Sequence, residues 1–504
     1  MNRLSSIGLS ILSPPKSVAD KVAIVHGDQQ LTYAQLASRV LDLSDILRKL
    51  SVGHSQRTAI DMPKSIDAVV TILAVLNSNG TCIPLDHGSP SIRKAQMISD
   101  SRPHNVITTG GGSILLSRED QNNFNLVEHN LEMEIDVLSA IRVDAEGPAN
   151  QTSSAYMLYT SGTTGLPKAV MISPMALKTF IDWCSEMFRP NQEDVFSSHA
   201  PLHFDLSIHD IFVALKHYAT VHLIDEETSK NPKEVARLIA EKEVTVWYST
   251  PSALMMLLKF GGLEAFDFPK LRHVLFAGEP FPAKQLRLLK DVWRQASFWN
   301  LYGPTETNVV SFYRIPDEVL LSRTEPFPIG KACEHAEFRI DGDSVAGGEL
   351  LVSGPSVMSG YWRLPQLNEL VFHEDEAGKV WYRTGDLVAV EGSGDLIFKG
   401  RLDDMIKKNG FRIEPGDIES ALMTHEHVEQ VKLLTYRNSD DVTSLHAFVV
   451  TKNPDLKKST LRKTCLDYLP TYMMPDRFVM LNEFPQTTTG KIDVQDLHNM
   501  ICND

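Results

Sequence analysis

An α/β fold followed by a smaller α+β unit is what this 504-residue sequence predicts, on three observations. Helical and strand periodicities alternate through most of the chain, as they do in α/β proteins. Several strand candidates run directly into glycine-containing turns, where α/β sheets tend to carry their functional groups. Beyond about residue 330 the texture changes to short strands between Gly- and Asp-rich turns, and after Asp403 to a compact α+β pattern.

Residues 34–50 form the first amphipathic helix, with Leu36, Val40, Leu43, Leu47 and Leu50 at a 4-3-4-3 spacing along one face. A second helix runs from Ile66 to Leu76, ends by Gly80, and precedes the strand-like Cys82-Ile83-Pro84-Leu85. Strands are expected at Thr245–Tyr248, His273–Phe276 and Phe298–Leu301, and in a β-rich subdomain at Glu349–Val352, Val380–Tyr382 and Leu396–Lys399. The last part reads as strands at Val431–Thr435, Ala447–Val450 and Phe478–Leu481, with a helix near Leu461–Tyr468. A boundary falls near Arg401–Asp404. No internal repeat or low-complexity tract is present.

Composition narrows the function classes. Hydrophobic residues at 42% and charged residues at 22% are ordinary for a globular protein. With 49 Lys+Arg against 64 Asp+Glu the net charge is −15, which argues against a nucleic-acid-binding surface. Phosphates remain accessible substrates, because backbone N–H groups, a few cations and Mg²⁺ hold them locally. Cys82, Cys184, Cys333, Cys465 and Cys502 are scattered and form no C-x-x-C pair, so neither a disulfide framework nor a zinc site is indicated. The longest apolar run, Ala68–Leu76, is too short to span a bilayer, and Ile7–Leu12 is too short for a signal-peptide core. The expectation is a soluble cytoplasmic protein with no membrane partner.

The strongest local signal is Tyr159-Thr160-Ser161-Gly162-Thr163-Thr164-Gly165-Leu166-Pro167-Lys168. Its glycines let the main chain approach phosphate oxygens, and its hydroxyls and lysine supply donors and charge. Leu166-Pro167 before Lys168 rules out a Walker A loop. Glu306, in a Gly-Pro turn after a strand, can bind Mg²⁺, which takes few protein ligands. Asp386 could accept from both hydroxyls of a ribose.

This loop resembles the phosphate loop of the adenylate-forming superfamily, which includes acyl-CoA synthetases, luciferases and nonribosomal peptide synthetase adenylation domains. The resemblance covers nearly the whole chain. It is carried, in order, by Leu31-Thr32-Tyr33, the phosphate loop, Asn300-Leu301-Tyr302-Gly303-Pro304-Thr305-Glu306, Tyr382-Arg383-Thr384-Gly385-Asp386-Leu387, Gly400-Arg401-Leu402-Asp403, Leu469-Pro470-Thr471-Tyr472-Met473-Met474-Pro475 and Thr489-Gly490-Lys491-Ile492-Asp493.

The resemblance implies a large N-terminal domain, residues 1–402, built of two α/β sheet subdomains plus the β-rich one. It implies a small mobile α+β domain, residues 403–504, swinging about a hinge at Asp403. ATP and Mg²⁺ are the implied cofactors. Thr160, Ser161, Gly162, Thr163, Thr164, Gly165 and Lys168 would hold phosphates, and Gly303 and Thr305 would help shape the nucleotide site. Gly278, Glu279 and Pro280 would line one side of adenine; Tyr302 would stack on it and Asn300 bond its amino group. Asp386 would bind ribose, Arg401 would add a charge-assisted contact and Glu306 would hold the metal. Lys491 would position the substrate carboxylate and stabilise charge as pyrophosphate leaves, making it the central catalytic residue beside Glu306 and Lys168.

Which acid is activated depends on His203-Phe204-Asp205-Leu206-Ser207-Ile208-His209-Asp210. In amino-acid-activating members an aspartate at the Asp205 position pairs with the substrate ammonium, because a buried carboxylate without a cation is costly. The competing reading is that Asp205 caps the following helix. The other pocket positions fall at Leu206, His209, Tyr248, Leu275, Ala277, Leu301, Val309, Val310 and Lys491, a small and mostly apolar set. It resembles the pocket of stand-alone members that activate L-proline and load it onto a carrier protein, except that His209 replaces an apolar residue. D-alanine-activating members are the nearest alternative, acyl- or aryl-CoA ligases a further one, and a non-catalytic nucleotide-binding module the last. No carrier segment follows the Lys491 motif, and Gly110-Gly111-Gly112-Ser113 is read as an ordinary loop. The acceptor is therefore expected in trans, on a small phosphopantetheine carrier protein.

Overall fold

A computed structural model describes residues 3–49, 56–109, 124–130, 135–140, 154–162, 166–318, 323–343, 345–437, 443–451, 453, 455–486 and 492–502. The chain divides into two compact units. The first comprises Met1–His87, Ile98–Tyr159 and Ala169–Leu402; the second comprises Gly88–Met97, Thr160–Lys168 and Asp403–Asp504. Two short segments within residues 1–402 thus cluster with the C-terminal residues.

In the first unit a nine-stranded sheet has the order Lys331–Ala332, Ser311–Arg314, Ser297–Tyr302, His273–Ala277, Val246–Ser249, Val195–Ser198, Thr220–Leu223, Val22–His26 and Gln29–Thr32. Its six central strands pair in parallel and its edges close antiparallel. An eight-stranded sheet runs Gly360–Tyr361, Lys168–Ile172, Tyr156–Thr160, Thr81–Pro84, Arg57–Asp61, Asn105–Thr109, Ile135–Ala140 and Phe124–Asn130. One core joins both sheets to the helices Tyr33–Lys49, Ile66–Asn77 and Pro174–Phe188. Every residue of Ile66–Asn77 except Asp67 is buried, which explains its nearly continuous apolar sequence. Ser65 caps it, accepting from the Ala68 N–H at 3.1 Å.

Leu31-Thr32-Tyr33 has a local physical purpose. Thr32 N–H donates to Gln35 Oε1 at 2.8 Å and Gln35 N–H to Thr32 Oγ1 at 3.3 Å, a reciprocal capping box. The buried Tyr33 hydroxyl donates to the Ala219 carbonyl at 2.6 Å. The expected helix accordingly runs Tyr33–Lys49 with Leu36, Val40, Leu43 and Leu47 buried; Leu50 lies outside the described residues.

The β-rich part is a five-stranded sheet, Glu337–Asp343, Gly347–Ser353, Val380–Val390 and Phe372–Glu374, with Leu396–Arg401 paired to Val380–Val390. The strand beginning at Val380 is far longer than expected, continuing through the Tyr382–Leu387 motif. It survives because its pairing with Gly347–Ser353 jumps from Glu349↔Leu387 to Leu351↔Arg383. Thr384, Gly385 and Asp386 form the resulting bulge, with Gly385 at φ 71°. Bulges re-aim side chains, and this one turns Asp386 inward.

In the second unit, Gln430–Arg437 and Thr443–Val450 pair antiparallel, and Arg477–Leu481 joins Thr443–Val450 in parallel after the Lys458–Tyr468 crossover helix. Alternate residues face opposite cores: Leu433, Leu445, Ala447 and Val449 one way, Leu434, Phe448 and Val450 the other. A helix unforeseen from sequence, Val494–Cys502, covers the second core with Leu497 and Ile501. No helix among the described residues is long and apolar enough to cross a membrane.

Candidate functional site

Strand register assembles most of the apolar pocket positions. Tyr248 pairs with Leu275 and Ala277 with Leu301, and Leu275 and Ala277 are two apart on one strand. All four therefore share a face of the nine-stranded sheet, where they belong to one cluster with Val309 and with Leu206 packed against it. The opposite face carries Trp247, Val274, Phe276 and Phe298 into a separate core. Val310 is the exception. It packs with Tyr302, Ile329 and Leu350 in another cluster, because successive residues alternate sides.

Asp205 and His209 stand four residues apart in right-handed helical backbone, on one face. Asp205 makes no side-chain capping hydrogen bond, so the capping alternative fails. Burial pushes its carboxyl above the usual range, opposed by the Thr305 hydroxyl and reinforced by the Glu306 charge. His209 is fully buried and opens a π-helical stretch, His209–Val213, an irregularity frequent at functional sites. Its ring meets Tyr248 edge-on with centroids 5.2 Å apart.

Three of the candidate nucleotide residues of the first unit, Tyr302, Asp386 and Arg401, form a connected polar network. Asp386, wholly inaccessible, accepts from the Tyr302 hydroxyl at 2.6 Å and from Arg401 at 2.5 Å. Asp386 and Arg401 are also cross-strand partners. Neither is the solvated surface charge that an isolated Asp or Arg would be. Asn300 donates from Nδ2 to the Pro328 carbonyl at 2.8 Å. Glu279 accepts from the Ser252 N–H and hydroxyl at 3.1 and 2.5 Å, which fixes the turn after Gly278. Glu306 is 1% exposed and accepts from the Tyr361 hydroxyl at 2.5 Å. The loop before it requires glycine at 303, where a Cβ would lie 1.6 Å from the Asn308 carbonyl oxygen.

In the second unit, the Ser161 hydroxyl donates to the Arg412 carbonyl at 2.9 Å. Gly162 faces the Leu166 carbonyl so closely that a Cβ would come within 2.1 Å of its oxygen. Arg93 pairs with the buried Asp417 at 3.2 Å. Lys168 is buried at the start of its strand. Thr163, Thr164, Gly165 and Lys491 lie outside the described residues, as do Gly110–Ser113.

Three contributors escaped sequence reading. Tyr361 orients Glu306, and its only sequence signal is the Ser359-Gly360-Tyr361-Trp362 run, with Gly360 at φ 127°. Thr384 Oγ1 accepts from the Asp386 N–H at 3.1 Å. Asp210 holds His209 Nδ1 at 3.1 Å.

Two sets of buried polar contacts, Tyr302–Asp386–Arg401 and Tyr361–Glu306, thus involve the motifs expected to bind a nucleotide. Residues 14–362 match the AMP-binding enzyme family and residues 417–491 the AMP-binding enzyme C-terminal domain. The chain belongs to this family and is an adenylate-forming ligase. An L-proline–L-prolyl-carrier protein ligase of Pseudomonas fluorescens is 33% identical, over 94% of this chain and 95% of its own length. A D-alanine–D-alanyl carrier protein ligase of Bacillus licheniformis is 30% identical over 94% and 95%. Among solved structures, the Vibrio cholerae adenylation domain AlmE in complex with glycyl-adenosine-5'-phosphate shares the fold, with a TM-score of 0.81 at 24% identity over 100% of this chain and 98% of that one.

Proposed function

We propose that this protein activates a small amino acid, L-proline foremost, as its aminoacyl adenylate and transfers it to the phosphopantetheine thiol of a separate carrier protein. An oxygen of the amino acid carboxylate attacks the α-phosphorus of ATP. The α–β phosphoanhydride bond breaks and pyrophosphate leaves. The carrier thiol, giving up its proton, then attacks the acyl carbon and AMP leaves.

Asp205 carries the reading. It is a carboxylate beside an apolar pocket that serves no helix cap, is raised by burial and lies in the field of Glu306. A substrate ammonium supplies the compensating charge, which a fatty or aryl acid lacks. The names of the proline- and alanine-activating relatives point the same way.

Within this reading Tyr302 stacks on adenine, and the Asn300 amide, anchored through Nδ2, offers Oδ1 to the adenine amino group. The turn at Gly278, Glu279 and Pro280 lines the base. Asp386 and Arg401 receive the ribose side. Thr160 to Gly165 with Lys168 hold phosphates, and Lys491 contacts the carboxylate and α-phosphate, delivered by the domain hinged at Asp403. Glu306 suits Mg²⁺, which takes one or two carboxylates and completes its shell with phosphate and water. Bound there, the metal would neutralise phosphate charge.

Amino-acid-dependent ATP–pyrophosphate exchange tests the proposal. Among the proteinogenic amino acids L-proline gives the dominant signal, and Asp205→Ala abolishes it. A dominant D-alanine signal would retain the chemistry and displace the substrate. Exchange with aryl or fatty acids alone would overturn the role of Asp205.

A further inference from the structure

We propose that Lys64 is a positioning residue for amino-acid recognition, its ε-amino group pinning the main chain that leads into Asp205. The inference rests on the reading of Asp205 as the partner of the substrate ammonium.

Lys64 lies three residues beyond the strand Arg57–Asp61 of the eight-stranded sheet. Its base is fixed on both sides: Pro63 precedes it, and Ser65 after it caps the buried helix Ile66–Asn77. The side chain reaches the end of Val195–Ser198 in the nine-stranded sheet. There Nζ donates to the Ser198 carbonyl and, at 2.8 Å, to the Ala200 carbonyl. One amino group thus ties together the ends of strands from two sheets.

The two carbonyls differ in what else holds them. Ser198 O also accepts from the Ile224 N–H at 3.1 Å, so the strand end is secured without the lysine. Ala200 lies beyond the strand and is 5% exposed, and Lys64 is the one donor to its carbonyl among the described residues. A buried carbonyl without a donor is costly, so this segment would shift to find another once Lys64 is removed. From Ala200 the constraint passes through local bonds. Phe204 N–H donates to the Pro201 carbonyl at 3.0 Å, the Ser207 hydroxyl to the Phe204 carbonyl at 2.6 Å, and Ile208 N–H to the Asp205 carbonyl at 3.1 Å. Asp205 follows the pinned carbonyl by five residues, with no strand between them.

The pin does not depend on charge. Burial pushes the Lys64 amine down to about 7, against Asp210 and Asp225, which raise it. The charged form has a third N–H, but even the neutral amine keeps one for each carbonyl. Displacing a recognition group by about 1 Å costs up to about a hundredfold, which is ample for detection. The effect belongs to the amino acid, because the Tyr302, Asp386 and Arg401 contacts use none of residues 198–208.

ATP–pyrophosphate exchange with the full chain separates this role from a general structural one, using L-proline or whichever amino acid exchanges best. Lys64→Met keeps the stem and removes the donors. It should raise the KM for the amino acid about tenfold or more, with kcat and the KM for ATP within about twofold of the wild type. Lys64→Arg, which restores donors at similar reach, should bring the amino-acid KM back to within about threefold. Should Lys64→Met not fold, Lys64→Gln, with one donor group on a shorter stem, takes its place with the same expected direction. An unchanged amino-acid KM, or an equal rise in the KM for ATP, overturns the inference while leaving amino-acid activation intact. An Asp205→Ala protein with the wild-type amino-acid KM, or no amino-acid-dependent exchange by the wild type, overturns the reading beneath it instead.

Discussion

Arg401→Met tests the buried network at its most sensitive point. Asp386 is wholly inaccessible and has two side-chain donors, Arg401 at 2.5 Å and the Tyr302 hydroxyl at 2.6 Å. Removing the guanidinium leaves a buried carboxylate supported by one neutral donor and its local backbone. Breaking a buried pair from one side costs about 3–5 kcal/mol. The retained phenol argues for the lower end, about 3 kcal/mol. Tyr302→Phe removes a hydrogen bond to a charged group and should cost about 1.5–2 kcal/mol. Because both act on one carboxylate, the double variant should deviate from additivity by about 1 kcal/mol or more. Urea unfolding of the four proteins, followed by tryptophan fluorescence, measures all three quantities. Asp386→Asn combined with Arg401→Met should recover part of the loss, since no uncompensated charge remains. The reasoning is refuted if Arg401→Met costs under about 1 kcal/mol, or if the cycle is additive within about 0.3 kcal/mol.

Three further outcomes are expected. Gly303→Ala should retain the circular dichroism of the wild type but lose nucleotide-dependent exchange, because its Cβ would occupy space 1.6 Å from the Asn308 oxygen and displace the loop bearing Glu306; unchanged exchange would contradict it. Tyr361→Phe should raise the Mg²⁺ concentration for half-maximal exchange by about tenfold, the usual effect of losing an orienting bond to a metal ligand, and an unaltered Mg²⁺ titration would separate Tyr361 from that role. His222 is pushed down to about 4 by burial and then by Lys242. Its neutral form is favoured on folding, so its stabilising contribution is complete above about pH 6.5 and disappears as pH falls towards 4. Relative to the wild type, His222→Gln should gain about 1 kcal/mol across that window after allowance for partial exposure, and a pH-independent difference would show that burial does not govern this residue.

Much of the fold was legible because burial imposes period. The 4-3-4-3 spacing of Leu36, Val40, Leu43 and Leu47 marks the buried face of its helix. The strand candidates at Val246–Ser249, His273–Ala277 and Ser297–Tyr302 coincide with the expected ones within two residues. Parallel register then determines that Tyr248, Leu275, Ala277 and Leu301 share a face, which sequence alone suggests only through the family motifs. The bulge at Thr384–Asp386 was not legible. It arises from the mismatch between two strands 27 residues apart in sequence, Ser353 to Val380, and no local pattern encodes that pairing. The separate packing of Val310 was hidden for a related reason. Adjacent valines look equivalent in sequence, but only Val309 joins the Tyr248 cluster. The Glu306–Tyr361 bond was equally hidden, since tyrosine is a common core residue and its hydroxyl partner is set by tertiary structure.

Asp194 and Asp205 differ in how the cost of desolvating a carboxylate is balanced. Asp194 is saturated: Arg272 grips it with two nitrogens at 2.8 and 2.6 Å, Thr245 donates at 2.7 Å and the Asn191 N–H at 2.8 Å. Those donors outweigh burial, so its carboxyl lies below the usual range. For Asp205, burial outweighs the Thr305 hydroxyl and the backbone N–H groups of Leu206 and Asp205 itself, Glu306 adds a like charge, and no cation is among the causes, so its carboxyl stays above the usual range. An amide or apolar side chain at 205 would avoid the cost of withdrawing a carboxylate from water without a cationic partner. Under the proposed function, the ammonium of a small amino acid would supply a positive charge at Asp205, which a fatty or aryl acid could not.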